Sequence, residues 1–196
     1  MTKAELAKKL REEMGLGLNQ IMKALKASDW NYDKAVQYCW DQYSVRSKNF
    51  KDRKCREGRI VTYAHHGNQV AVLVEIGCET DFAAKTQEFL DFGQQIAMQI
   101  VAMNPTYLSI QAVPHKDVEQ QLDHIERHVP DRFKGMEFGR MVEERMKQWY
   151  QHMCLLEQGS IFNHQQTVED LRAQVSVRLG ENVEIRRWCR WELGEE

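Results

Sequence analysis

The sequence predicts an α+β protein in which a helical N-terminal module precedes a core of a small antiparallel sheet packed with helices. Three observations carry that expectation. Apolar residues recur at helical spacing in residues 2–44, 87–103 and 165–179. β-Branched residues alternate at period two on either side of Gly67-Asn68, and another alternating run closes the chain at 181–193. The order is therefore helices, hairpin, helices, strand, which suits helices set against an antiparallel sheet rather than a repeated strand–helix–strand unit.

In the first forty residues, Thr2 is placed to cap a helix in which Leu6 and Leu10 stand four apart, and Gly15 and Gly17 close it. A second helix is expected from Leu18 to Ala27 with Ile21, Met22 and Leu25 as its apolar stripe. A turn over Ser28–Asp33 follows, and Asn31 or Asp33 caps a third helix carrying Ala35, Val36, Cys39 and Trp40. Gly15-Leu-Gly17 is too short for a phosphate loop, since no Lys-Ser/Thr follows and no strand precedes it.

Residues 45–57 read as a basic linker, which divides the chain into a module at 1–44 and a core at 58–196. The basic run contains Phe50 and could track a phosphate backbone, although such a run is usually a solvated connector. Composition narrows the classes further. Hydrophobic residues make up 42% and charged residues 29%, with a net charge of −2, so no global nucleic-acid footprint is present. No apolar run approaches the roughly 20 residues that a bilayer requires, and Met1-Thr-Lys-Ala-Glu lacks the apolar segment of a signal peptide. A cytoplasmic, non-membrane protein is expected. The five cysteines (Cys39, Cys55, Cys78, Cys154, Cys189) are scattered without a Cys-x-x-Cys pair, so neither a zinc site nor a disulfide framework is indicated.

Arg59–His66 and Gln69–Ile76 are expected to be strands joined by a two-residue turn at Gly67-Asn68. In the second strand Val70, Val72, Val74 and Ile76 share one face. Just beyond it, Thr80-Asp81-Phe82 reads as a helix N-cap, so a strand delivers a carboxylate and a large ring to an exposed turn. That geometry suits a wedge, although the commoner outcome for such a turn is that Asp81 only caps and Phe82 packs inward.

Thr86 can cap a helix over Gln87–Met103, which Asn104-Pro105 ends, and Tyr107-Leu-Ser is a short extended piece. Polar helices are expected over Lys116–His128 and Arg132–Leu156, separated by Pro130 and weakened early in the second by Gly135 and Gly139. His124 and His128 stand four apart on one helix face, but no third ligand accompanies them, and no metal site is expected. Gln165–Leu179 is an amphipathic helix with Val168, Leu171, Val175 and Leu179 inward, ended by Gly180. In the last strand, Arg186, Arg187 and Arg190 interleave with Trp188 and Trp191. Such a pattern stacks bases or forms a strand with one dry and one charged face.

Glu75-Ile-Gly-Cys-Glu-Thr-Asp-Phe-Ala-Ala-Lys85 resembles the signature of the elongation factor Ts family, with Cys78, Thr80, Asp81, Phe82, Ala84 and Lys85 in place and departures at Gly77 and Ala83. The N-terminal helices resemble the ubiquitin-associated-like module that begins the family. Leu10, Arg11, Gly15, Gly17, Lys23, Ala24 and Leu25 match its pattern, while Met14, Asn19, Gln20 and Met22 depart from it. Gly180-Glu-Asn-Val-Glu-Ile-Arg-Arg187 is similar to a third family motif, whereas Gly159-Ser160 stands where the family has Pro-Phe.

The resemblance implies a translation elongation factor that promotes GDP release from elongation factor Tu. By that resemblance, Thr80, Asp81, Phe82, Ala83 and Lys85 form the exchange wedge, and Arg11 and Lys23 on the helical module add partner contacts. It implies a compact, short-form member that works as a homodimer, with Trp188, Cys189 and Trp191 at a dimer edge. It implies no covalent catalysis, no cofactor, no metal and no nucleic-acid partner. Two other readings stay open: a diverged partner-binding homologue without exchange activity, and an RNA-binding accessory factor using residues 46–59 and 186–191.

Overall fold

In the computed structural model of this chain, which describes residues 2–128 and 136–195, the first helix α1 (Lys3–Met14) starts with a capping box. The Thr2 hydroxyl accepts from the Glu5 amide, and the Glu5 carboxylate accepts from the Thr2 amide at 2.8 Å. Gly15, at φ 65°, ends the helix in the left-handed conformation. α2 (Leu18–Ala27) and α3 (Tyr32–Ser47) follow, and Asn31 is the residue that caps α3, accepting from the Lys34 amide at 3.0 Å. α3 runs through residues 45–47, three positions into the stretch expected as linker. Leu10, Ile21, Leu25, Ala35, Cys39 and Tyr43 form the common core of the three helices. Each large apolar side chain so buried stabilises by about 1.5–3 kcal/mol.

Three strands form one sheet in the order β1 (Glu57–Ala64), β2 (Val70–Cys78), β3 (Val183–Glu192). The hairpin between β1 and β2 is wider than two residues. His65 and Val70 are the last bonded pair, and the Asn68 amide returns to the His65 carbonyl at 2.8 Å. Gly67 (φ 91°) and Asn68 (φ 56°) both carry positive φ, so the turn residues are the expected ones but the loop they close spans 66–69. At the other end of the hairpin, a Cβ on Gly58 would lie 2.1 Å from the Ile76 carbonyl oxygen and 2.9 Å from Gly77 Cα. Only glycine lets the strands meet there.

α4 (Asp81–Ala84) is a single turn, and α5 (Gln87–Met103) follows with Thr86 accepting from the Phe89 amide at 3.3 Å. Phe89, Phe92, Ile96, Ala97 and Ile100 are its buried stripe. α6 (His115–His128) and α7 (Met136–Met153) pack around Ile125 and Met146 with Val118, Leu122, Phe138 and Trp149. The break at Pro130, the expected helix start at Arg132 and Gly135 lie outside the described residues. α7 ends at Met153, three residues short of the expected Leu156, where Leu155–Glu157 tightens into a 3₁₀ turn. Tyr107 makes a parallel bridge with Cys154, which is the extended piece expected there.

α8 (Val168–Leu179) begins three residues later than its amphipathic pattern suggests. Residues 163–167 are used otherwise: Thr167 bridges Gly159, and the Ser160 amide bonds the Gln166 carbonyl at 2.8 Å. Its buried residues are Val168, Ala173, Gln174, Val175 and Ser176, while Leu171 and Leu179 are only half-buried, because the helix is covered on more than one side.

The chain divides into two compact units. One holds the residues up to Arg59, Ile76–Phe92 and Asp170–Glu184; the other holds Ile60–Glu75, Gly93–Glu169 and Ile185–Glu196.

Candidate functional site

β2 buries Val72, Val74, Ile76 and Cys78 and hands the chain directly to Glu79-Thr80-Asp81-Phe82. Several polar groups of this turn have partners within the chain. The Glu181 carboxylate accepts from the Glu79 amide (3.1 Å), the Thr80 amide (3.0 Å) and the Thr80 hydroxyl (2.6 Å). The same hydroxyl accepts from the Ala83 amide at 3.3 Å, so Thr80, not Asp81, is the N-cap of α4. The buried Cys78 thiol donates to the Thr80 carbonyl at 3.1 Å, and Arg59 Nε donates to the Ala84 carbonyl at 3.2 Å. Asp81 is freed from capping and accepts from Lys85 Nζ at 2.6 Å, which holds its carboxyl below the usual carboxylate range.

The turn therefore has little freedom, and the large apolar group it leaves in solvent is the Phe82 ring, 80% exposed. Ala83 and Ala84 point inward beside it and are buried. Lys85 Nζ stands 5.9 Å from the Phe82 ring centroid, a distance at which a cation and a ring face still attract. Burial pushes the Cys78 thiol up to about 11, so at neutral pH it is a hydrogen-bond donor and packing group, not a nucleophile.

The anchor, Glu181, belongs to the Gly180-Glu-Asn run. Its neighbour Asn182 fastens a second segment: the Asn182 amide donates to Glu79 Oε1 at 2.6 Å, and its side chain donates to the Arg53 carbonyl at 2.9 Å. The run stands out in the sequence as a motif, without a role that its residues alone reveal. A separation of 101 residues between Thr80 and Glu181 hides the contact; only the recurrence of two short motifs in one chain hinted at it.

Arg11 and Lys23 lie on different surfaces. Arg11 lines an open groove of about 840 Å³ floored by Ala7, Leu18, Met22 and Trp30, with Lys3 and Lys8 at its rim. Lys23 lines a smaller cavity of about 130 Å³ with Tyr38, Gln42 and Arg46. In β3, Cys189 and Trp191 share one face, where they line an open apolar hollow with Leu73, Ala71 and Thr62. Trp188, one position out of phase with them, falls on the opposite face. Trp191 is 76% exposed, and Ile60, Leu73 and Leu193 are exposed as well.

The arginines of β3 are committed within the chain. Arg187 and Arg186 bind the Glu75 carboxylate at 2.7 and 3.0 Å, which lowers its pKa, and Arg190 pairs with Glu192 and Glu195. A base-stacking face at 186–191 would have to break these pairs.

The family profile described as Elongation factor TS matches residues 5–195. The chain belongs to the elongation factor Ts family. Among its relatives, the elongation factor Ts of Finegoldia magna is 37% identical over 201 residues, covering 98% of this chain and 89% of the relative. That of Caldanaerobacter subterraneus subsp. tengcongensis is 36% identical, covering 100% of this chain and 98% of the relative. The Fervidobacterium nodosum protein is 31% identical with 98% of both chains covered. Membership in the elongation factor Ts family supports a role in translation elongation and a general partnership with elongation factor Tu. Among the described residues, no helix is long and apolar enough to cross a membrane.

Proposed function

We propose that this chain promotes GDP release from elongation factor Tu in the cytoplasm, with Phe82 as the group that enters the partner. The observation that carries the reading is a large apolar ring 80% in solvent on a turn whose backbone is held by Glu181, Cys78 and Arg59. An exposed ring on a loose loop would lose its binding energy to ordering; this one is already ordered. Asp81 and Lys85 neutralise each other beside it, so the ring is flanked by a paired rather than a free charge.

The reaction requires no covalent step and no cofactor. The factor binds the nucleotide-free partner better than the GDP-bound one, and nucleotide and factor then weaken each other by the same ratio. A shift on the order of 10⁴ needs about 5.5 kcal/mol of differential binding. Burying one Phe supplies roughly 1.5–3 kcal/mol. Further surface is therefore needed, and the helical module (residues 1–44), with Arg11 beside an apolar groove and Lys23 on its other side, provides it. On this reading the 45–57 segment connects that module to the 58–196 core.

The same reading assigns the open sheet face around Leu73, Cys189 and Trp191 to a second copy, giving a homodimer whose interface is that face. Release of fluorescent GDP from elongation factor Tu tests the exchange step. Acceleration by this chain that largely disappears in Phe82→Ala is expected. Binding without acceleration would make the chain a partner-binding homologue that has lost exchange.

A further inference from the structure

Beyond the turn itself, the same compact unit holds a second built contact that neither the exchange motif nor the family assignment explains. Arg178, in the last turn of α8, donates from Nη2 to the Glu13 carbonyl at 3.1 Å and from Nη1 to Glu88 Oε1 at 3.1 Å. Its guanidinium also interacts with the Tyr43 hydroxyl, which itself donates to the Met14 carbonyl. Four helices meet at one side chain: the end of α1 (Glu13), α3 (Tyr43), the first turn of α5 (Glu88) and α8.

Glu13 and Met14 carry carbonyls of the last turn of α1, which have no partner within the helix, and a cation at that end is also favoured by the helix dipole. Gly15 makes the approach possible. A Cβ there would lie 2.9 Å from Arg178 Nε and 3.1 Å from Cζ, and its φ of 65° already disfavours any other residue. One residue earlier in α8, Val177 packs against the apolar core of the three N-terminal helices. Glu88 follows Phe82 by six residues, across α4 and the start of α5. The clasp thus ties the end of the helical module to the segment that carries the exposed ring.

We propose that Arg178 is a positioning residue: it locks the groove of the helical module and the Phe82 turn into one rigid binding surface, so that both engage the partner in a single event. The proposal rests on the exchange-factor reading for the identity of the partner. Its physical content is effective concentration. Two surfaces held in fixed register bind with nearly the product of their strengths, whereas a module that has to find its site after the first contact adds less. Arginine suits this post because its rigid planar fork aims separate N–H groups at a backbone carbonyl and a carboxylate, whereas the donors of lysine sit on one rotatable ammonium.

Binding of nucleotide-free elongation factor Tu to the full chain, measured by calorimetry for Arg178→Ala, Leu18→Ala and the double variant, tests it. Leu18 is exposed in the groove and has no part in the clasp. In the intact background Leu18→Ala is expected to weaken binding about 10-fold, and in the Arg178→Ala background less than about 3-fold, a coupling that loss of stability alone does not produce. Glu88→Gln, which keeps shape and removes the charge, is expected to fall between Arg178→Ala and the parent, with melting temperatures recorded for all variants. Equal effects of Leu18→Ala in both backgrounds, or no effect in the intact one, overturn the proposal. A parent that does not bind overturns it too. Exchange is read separately with fluorescent GDP: a parent that binds but does not accelerate release overturns the exchange reading, while the binding cycle still decides the role of Arg178.

Discussion

Two large aromatic side chains of this protein stand in solvent to nearly the same degree, Phe82 at 80% and Trp191 at 76%, and their settings are opposite. Phe82 is a lone ring on a short turn, flanked by buried alanines and an ion pair, with the backbone beneath it bonded to Glu181, 101 positions on from Thr80. Trp191 lines an open apolar hollow on the sheet with Ala71, Leu73 and Cys189. Exposure alone therefore says little. An isolated anchored ring fits a narrow cleft in a partner, whereas a wide apolar surface fits a second apolar surface of similar extent.

The largest expected effect separates the two settings at the sheet. On the homodimer reading, Trp191→Glu should weaken self-association by about 1000-fold or more, since the side chain would occur twice in a symmetric interface and each copy would exchange a buried ring for a charge. Sedimentation over a concentration series reads this, and a variant that still dimerises as the parent does would remove the face from the interface.

Next comes the ring itself. Phe82→Ala should slow the maximal rate of GDP release by about 10- to 150-fold, the equivalent of the roughly 1.5–3 kcal/mol that one buried Phe contributes. Its melting temperature should stay near that of the parent because the ring makes no core contact. If instead the variant loses stability and keeps its rate, the ring packs rather than acts.

A smaller effect tests whether anchoring matters. Glu181→Gln leaves shape but removes the charged acceptor of three hydrogen bonds at Glu79 and Thr80, and about a 10-fold loss in exchange is expected. No comparable loss should follow in dimerisation. Equal losses in both assays would mean that Glu181 supports the fold generally.

The least effect is expected from pH. Asp81 is held below its usual range by Lys85. The folded state therefore binds its proton less readily than the unfolded chain does. Whatever the pair contributes is present above the unfolded Asp value of about 3.9 and is lost as pH falls through the lower folded one. Between pH 8 and 5 exchange should show no step from this group. A step in that window that vanishes in Asp81→Asn would contradict the pairing.

Much of this was legible in residue order because it rests on local physics. Helix periodicity placed α2 and α5 at their observed bounds, Thr2 and Thr86 cap as their positions suggested, and alternation put Val72, Val74 and Ile76 on the buried face. Short motifs were enough to indicate the family. What local pattern misjudged was decided by competition for the same atoms. Residues 165–167 look helical, yet they pair with 159–160 because that segment needs partners. Thr80 takes the cap, which leaves Asp81 for Lys85.

The sequence by itself determined which residues are helical, which alternate, and that a Thr-Asp-Phe turn follows a buried strand. Spacing along a chain encodes these directly, through periods of 3.6 and 2. Only the tertiary structure decided that Glu181 holds that turn, that Arg178 fills the space left by Gly15, and that the face of β3 carrying Cys189 and Trp191 lines an open apolar hollow with Leu73. Those contacts join residues about 100 or more positions apart, or depend on which face the sheet buries. No local period carries that information, because it arises from packing the elements together.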